Sequence, residues 1–473
     1  MKFEIEEGLI MKIPGNAKKT AASLSKVNLD FFEFVQKNPS CLDRSHFKLL
    51  DLKDELFVLQ PWPTFINREN REHFRAVSLK MWELARSIPR RVFNYNPDEM
   101  SRFYEVPRRT IEYQMSGVHD EHLKNVTGRI DFILSPGGLK CMECNFSASL
   151  GGWQVPIWEP LYLNTPILAR FFKESAVKTC NENLISHFFE QVIAAAPAEL
   201  LAREGQWNTA IASRGFLDSK TSVQNYFNTL YKNLLKQRGA AGVNLRGHVY
   251  ICDYPDLEIA DKCLFFKGEK IHHLVELYNG TVSQGIMEVF KAGNIQLING
   301  PVAWILANKL NLALLSDHEA VPVFTAEENG FIDRYVPWTR KIKPGKNSFK
   351  GETIDLPDFI RSHQAGFVLK PGHNYGGKGV CVGIKVTGDQ WEKSVETALQ
   401  EKNWVVQEYV ESLPGLYQSG ANGCDMHDMS WGFFMFGPRY AGLWIRVMPR
   451  EGSKGVINCH QGASVSVVFN VND

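Results

Sequence analysis

The sequence predicts a mixed fold, α/β or α+β in class, on three observations. From residue 128 onward, short β-branched or alternating runs are interleaved with longer stretches that carry apolar residues at helical spacing. Gly- and Pro-containing turns separate those runs, and no repeat or low-complexity linker interrupts them. The chain has 473 residues, 44% hydrophobic and 22% charged, enough for two to four domains around a sizeable core. A formal net charge of +1 argues against nucleic acid or an acidic membrane surface as a partner. No apolar run reaches the ~18 residues of a membrane span, and the acids in MKFEIEEGLIMK argue against a signal peptide. Nine cysteines without framework spacing favour reduced thiols in a cytoplasmic setting. The eleven tryptophans are expected mainly in the core.

Taken in order, Asn70 to Ile88 has helical periodicity, while the prolines of PWPTF around Trp62 demand a loop or extended segment. GRIDFILS and GLKCMECNF read as two strands joined at SPGG, a hairpin. Residues 164–202 read as helical, and GHVYICDY and DKCLFFKGEKIHHLVEL as strand-rich. NIQLING is a strand, followed by one helix over PVAWILANKLNLALLSD with proline in its first turn. GFVLKP, VCVGIKV and NWVVQEYV are strands, SVETALQEK is a helix, and the tail holds three further strand candidates.

The stretch FVLKPGHNYGGKGVCVG carries Lys370 and then Gly376, Gly377 and Gly379. It does not match G-x-x-x-x-G-K-[ST], and it opens no helix as a dinucleotide fingerprint would. It reads as a hairpin loop. Such a loop can fold over phosphates and donate backbone N–H groups to them, with Lys370 adding a charge; alone, it fits a solvated surface hairpin equally well. About 37 residues after the lysine, a strand ends in Gln407, Glu408, Tyr409 and Val410. Backbone donors and apolar walls there suit a nucleobase. The expected metal ligands are missing downstream, where Glu411 is followed only by Asp425, Asp428, Glu451 and Asp473. They occur upstream instead. In a hairpin Asp131 and Glu143 can lie side by side, and Asn145 shares the face of Glu143. Three oxygen ligands completed by phosphate suit Mg²⁺.

The lysine strand, glycine loop and Q-E-Y-V hinge resemble the ATP-grasp superfamily. The order R-x-D, E-x-N, then N-K, the lysine strand and the hinge resembles its circularly permuted members, among them the synthetase domain of glutathionylspermidine synthase. The resemblance spans roughly 125–470. It implies a circularly permuted ATP-grasp fold with a Rossmann-like part and an N-terminal extension. Further implied are ATP with one or two Mg²⁺ ions held by Asp131, Glu143 and Asn145, and phosphate contacts from Lys309 and Lys370. It also implies a nucleobase seat at Gln407, Glu408, Tyr409 and Val410, and Arg129 and Arg446 as catalytic clamps on an acyl phosphate. Two departures stand out: the glycine loop is nearer to ordinary ATP-grasp loops, and ELYNG lacks the basic pair of many permuted members. No amidase domain is expected ahead of the synthetase part.

The expected division is 1–120, an N-terminal mixed region contributing to the substrate site; 121–245, the metal-binding part with helices; 246–318, Rossmann-like; and 319–473, nucleotide-binding. The expected activity is ATP-dependent, ADP-forming carboxylate–amine ligation through an acyl phosphate. The alternatives are phosphorylation of an enolate oxygen before amine displacement, or an inactive nucleotide-binding scaffold. Small-molecule carboxylate and amine partners are expected, with an amino acid, short peptide or polyamine admitted by resemblance, and a homodimer is left open. Cys141 and Cys144 are expected on opposite faces of a strand, as packing residues rather than a zinc or redox site. His272 and His273 are expected on an exposed or half-buried strand, His427 in a loop, and Glu327 and Asn329 in a loop. SASLGGW stays open between a tight turn and a close approach of substrate to backbone.

Overall fold

A computed structural model describes residues 3–4, 14–38, 57–196, 204–213, 220–239, 245–277, 282–419 and 423–472. The long helix α1 (Arg68–Arg91) starts at Asn67, whose side chain accepts the N–H of Asn70, and buries Phe74, Met81, Trp82 and Ile88. Strands β1 (Thr127–Ser135) and β2 (Gly138–Asn145) form the hairpin. Gly138, at φ 92°, takes the left-handed turn position that only glycine holds cheaply.

Next come four strands, β3 (Thr209–Ser213), β4 (Val249–Asp253), β5 (His273–Glu276) and β6 (Gln296–Ile298), in a parallel sheet ordered β6-β5-β3-β4. β3 is buried at every position, so it sits centrally, and the boundary expected at 245/246 falls inside this sheet. His272 and His273 are buried here, 3% and 1% exposed, against the expectation of an exposed strand. The Trp207 indole donates to His273, and burial lowers the pKa of that imidazole to about 3, so it stays neutral.

The helix expected over 301–317 is two short ones, α2 (Ala303–Leu306) and α3 (Leu310–Ser316). The break falls at Asn308 and Lys309, where the chain is tied to the glycine loop: Lys309 N–H donates to Gly372 O, and Asn308 Nδ2 bonds His373 Nε2. Tertiary hydrogen bonds outweigh the local helical pattern. The segment expected as a loop, Glu327 to Asn329, lies in α4 (Ala326–Tyr335), opened by a capping box between Thr325 and Glu328.

A smaller antiparallel sheet comprises β7 (Thr339–Lys341), β8 (Phe367–Pro371), β9 (Cys381–Val382) and β10 (Trp404–Glu408), in the order β7-β10-β8-β9. The glycine loop joins β8 to β9, as a hairpin should. β9 is shorter than the VCVGIKV run suggests, because Gly383–Lys385 turn into a 3-10 helix. A Cβ on Gly383 would meet Gln364 O at 1.8 Å, so the chain must bend there against another backbone.

The C-terminal strands β11 (Gly423–Phe436), β12 (Arg439–Pro449) and β13 (Ser464–Ser466) complete the large sheet, whose central path runs β13-β12-β11-β1-β2. β11 is longer than expected and takes in His427, 3% exposed, in place of a loop. The N-terminal and C-terminal parts are thus stitched together, and the strand Thr64–Ile66 pairs in parallel with Val468–Asn470. No helix of the described residues is long and apolar enough to cross a membrane.

Candidate active site

The large and small sheets face one cavity of about 1190 Å³. Its floor is a face of the large sheet. Alternation on β1 puts Arg129, Asp131 and Ile133 on that face, and pairing in register sets Asp131 opposite Glu143 and Arg129 opposite Asn145. A bulge keeps this register. Met142 is an extra residue between the Asp131–Glu143 and Phe132–Cys141 pairs. The same bulge overturns the expectation that Cys141 and Cys144 lie on opposite faces: their Sγ atoms are 3.9 Å apart, and both are buried as packing residues.

Asp131 is the hub. Its Oδ1 accepts from Arg129 Nε at 2.6 Å and its Oδ2 from Arg129 Nη2 at 2.9 Å, and Oδ2 forms an ion pair with Arg446 Nη2 at 2.8 Å. Asn145 Nδ2 donates to the same Oδ2 at 3.0 Å and to Glu143 Oε1 at 3.2 Å. Burial pushes the Asp131 carboxyl up, but the Arg129 and Arg446 charges outweigh it and hold the group well below the usual carboxylate range. Burial likewise opposes the charge on Arg129, and Asp131 more than restores it. The Arg129 and Arg446 guanidinium carbons lie 5.1 Å and 5.6 Å from the Trp444 ring centroid. Arg446 also donates through Nη2 to Ser430 Oγ at 2.9 Å, and its Nη1 has no hydrogen-bond partner among the described residues.

The opposite wall carries the lysines and the glycine loop. Lys309 Nζ lies 3.6 Å from Glu143 Oε2 and donates to Asn374 O at 3.0 Å. Lys370 Nζ donates to Met142 O at 3.2 Å and to Gln407 Oε1. Burial lowers the Lys370 pKa to about 8, with Glu143 opposing and Lys309 reinforcing the shift. Gly376, Gly377 and Gly379 all have φ between 66° and 75°. Left-handed backbone favours glycine at these positions, and the space does too: a Cβ on Gly377 would lie 2.5 Å from Val456 Cγ1.

The expected residues around 130–145 and around 370 therefore share one cavity with Lys309 and Arg446. The hinge divides differently. Tyr409 and Val410 line the cavity. Gln407 is turned beneath Lys370 and donates to Thr339 Oγ1, and Glu408, on the alternate face of β10, pairs with Lys350 at 3.0 Å. Their side chains do not line the cavity, so only their backbone could reach a nucleobase. The expected metal set also divides. Glu143 is partly exposed, with Asn145 Nδ2 on Oε1 and Lys309 3.6 Å from Oε2, and Asn145 Oδ1 has no hydrogen-bond partner among the described residues, so these two are the hard oxygen donors within reach of a cation. Asp131 has its oxygens engaged by two guanidiniums and an amide. No cluster of three His, Cys, Asp or Glu suited to a metal occurs among the described residues.

Three further features complete the site. Gly432 pairs with Asp131 on one side and Trp444 on the other; a Cβ there would lie 2.4 Å from Trp444 Nε1 and 2.6 Å from Arg129 Cδ. The signal was a glycine inside a strand pattern, WGFFMF. Gly151 and Gly152 of SASLGGW sit under Phe57 and Trp444, and Gly151 O accepts from Arg129 Nη1 at 2.8 Å. Asn458, which lines the cavity, accepts His460 N–H at 3.0 Å and holds the turn carrying Cys459.

No family model matches the chain. No curated protein matches it either. Among solved structures, the chain is similar to one from Methylobacillus flagellatus KT assigned as a gamma-glutamylcysteine synthetase, with TM-score 0.40 and 12% identity over 82% of this chain and 87% of that one. It is also similar to D-alanyl-alanine synthetase A from Vibrio cholerae O1 biovar eltor, with TM-score 0.25 and 12% identity over 57% of this chain and 89% of that one.

Proposed function

We propose that the chain is an ATP-dependent carboxylate–amine ligase of the permuted ATP-grasp kind. One observation carries the reading: a lysine-and-glycine-loop wall faces a carboxylate–arginine floor across a single cavity, with Lys309 3.6 Å from Glu143. The strands that carry Asp131 and Glu143 precede the lysine strand in sequence, the order expected of a permuted enzyme.

Lys309, Lys370 and the N–H groups of Gly376, Gly377 and Gly379 bind phosphates; Tyr409 and Val410 flank the nucleobase. Glu143 and Asn145 Oδ1 fit magnesium, which when bound supplies charge neutralisation between the phosphates. Asp131 acts behind them as the counter-ion that orients two guanidiniums. Arg446 Nη1, without a hydrogen-bond partner among the described residues, and Arg129 orient the substrate carboxylate and later screen the oxyanion. A carboxylate oxygen bonds to the γ-phosphorus as ADP leaves. The amine nitrogen then bonds to the acyl carbon as orthophosphate leaves. Positioning and charge neutralisation suffice, so no protein nucleophile is needed.

The test is ADP release with ATP, Mg²⁺ and mixtures of carboxylates and amines. Release that needs both substrates and disappears in Glu143→Ala supports the ligase. Release that needs no carboxylate favours enolate phosphorylation. No release with any mixture, together with nucleotide binding indifferent to Asp131→Ala, points to a scaffold.

A further inference from the structure

The cavity is larger than the ~300–1,000 Å³ of a pocket for one small ligand, so it has room beyond a nucleotide. Beyond the arginine pair its lining changes character. Phe57, Leu150, Trp153 and Leu277 are each half-buried and present apolar surface to the cavity. Phe57 packs edge-on against Trp444 at 5.8 Å, and Trp444 underlies both guanidiniums. A ligand carboxylate at Arg446 Nη1 would place its body toward Trp444 and Phe57, and Trp153 directly follows the Gly151–Gly152 turn that these two rings cover.

Charge points the same way. The acids that line the cavity among the described residues are Asp131, Glu143 and Asp428. Each already faces a cation: Asp131 the two arginines, Glu143 Lys309, and Asp428 Arg450 at 2.7 Å. The lining bases, Arg129, Lys309, Lys370, Lys378 and Arg446, outnumber them. A polyamine would find no unpaired carboxylate here.

We propose that this end of the cavity binds a carboxylic acid with an apolar, ring-sized body, and that Trp153 and Leu277 select it. The inference rests on the ligase reading only in assigning the opposite end to the nucleotide. The experiment measures binding of 3-phenylpropionate, glutamate and spermidine to the full chain in the presence of the non-hydrolysable analogue AMP-PNP and Mg²⁺. 3-Phenylpropionate should bind most tightly. Trp153→Ala and, separately, Leu277→Ala should each weaken it by roughly tenfold or more, the loss expected for one large apolar contact. AMP-PNP affinity on the same samples reports whether a variant has folded. Tighter binding of glutamate or spermidine, or equal 3-phenylpropionate affinity in folded variants, overturns the proposal. Selective 3-phenylpropionate binding without any AMP-PNP binding leaves it standing and sinks the ligase reading. Binding of no probe overturns it.

Discussion

Removing the Asp131 carboxylate would leave Arg129 and Arg446 close together with no anion between them. Both are buried, 6% and 4% exposed, so water cannot replace the lost charge. Breaking a buried pair from one side costs about 3–5 kcal/mol, mostly the penalty of stranding the partner. Asp131→Asn should thus lower unfolding stability by that order, read from denaturant curves, whereas Glu143→Gln should lower it little because Glu143 is partly exposed. A deep loss in Glu143→Gln with none in Asp131→Asn would reverse the roles assigned to them. Lys370 gives a pH signature. Burial holds it near pKa 8, so its cation is present below pH 8 and is lost as pH rises through it. kcat/KM for ATP should be level below about pH 8 and fall above it, with a slope approaching one proton. Folding stability should move the other way between pH 8 and 10.5, since the unfolded lysine keeps its proton longer than the folded one. A profile in Lys370→Met that still bends at pH 8 would assign the titration elsewhere.

At the scale of elements, the floor of the site exists because β11 omits a side chain at Gly432. A methyl group there would press on Trp444 and Arg129 together. Overpacking of this kind costs about 1–3 kcal/mol and would push the guanidinium off its two-point contact with Asp131. Gly432→Ala should cut ADP release by about tenfold or more at near-native Tm, or lower both if the sheet shifts; unchanged turnover would remove Gly432 from the site. Much of this level was legible. The hairpin pattern of 128–146 put Asp131 opposite Glu143, and the glycine-rich run after Lys370 is a hairpin loop. What was not legible was decided by long-range contacts. The Met142 bulge brings Cys141 and Cys144 together, though period-two alternation separates them. The break at Asn308 answers hydrogen bonds to a loop some 65 residues away, which a helical pattern cannot register. The side chain of Gln407 is held under Lys370 by hydrogen bonds to Lys370 and to Thr339, partners on two other strands that a single strand's composition does not reveal.

For the whole molecule, the site is assembled from both ends of the chain. β1 pairs with β11, Thr64–Ile66 with Val468–Asn470, and Lys309 is tied to the glycine loop through Gly372. The two walls belong to different sheets, and polar contacts that join them at the site include Lys370 to Met142 O and Lys309 to Glu143. A ligand that bridges the walls should therefore stabilise the entire fold, by RT ln(1 + [L]/Kd), about 2.7 kcal/mol at one hundred times Kd. On the proposed reading, in which Glu143 and Asn145 would hold the cation and the lysine wall the phosphates, AMP-PNP with Mg²⁺ should raise Tm more than AMP-PNP with EDTA. In Glu143→Gln that Mg²⁺-dependent increment should shrink towards zero while the nucleotide-only rise survives, since the lysines and glycine loop are untouched. Lys370→Met should do the converse, lowering the nucleotide-only rise first. If Mg²⁺ adds the same increment to wild type and Glu143→Gln, the cation is not held at the floor, and the two walls meet for some purpose other than phosphoryl transfer.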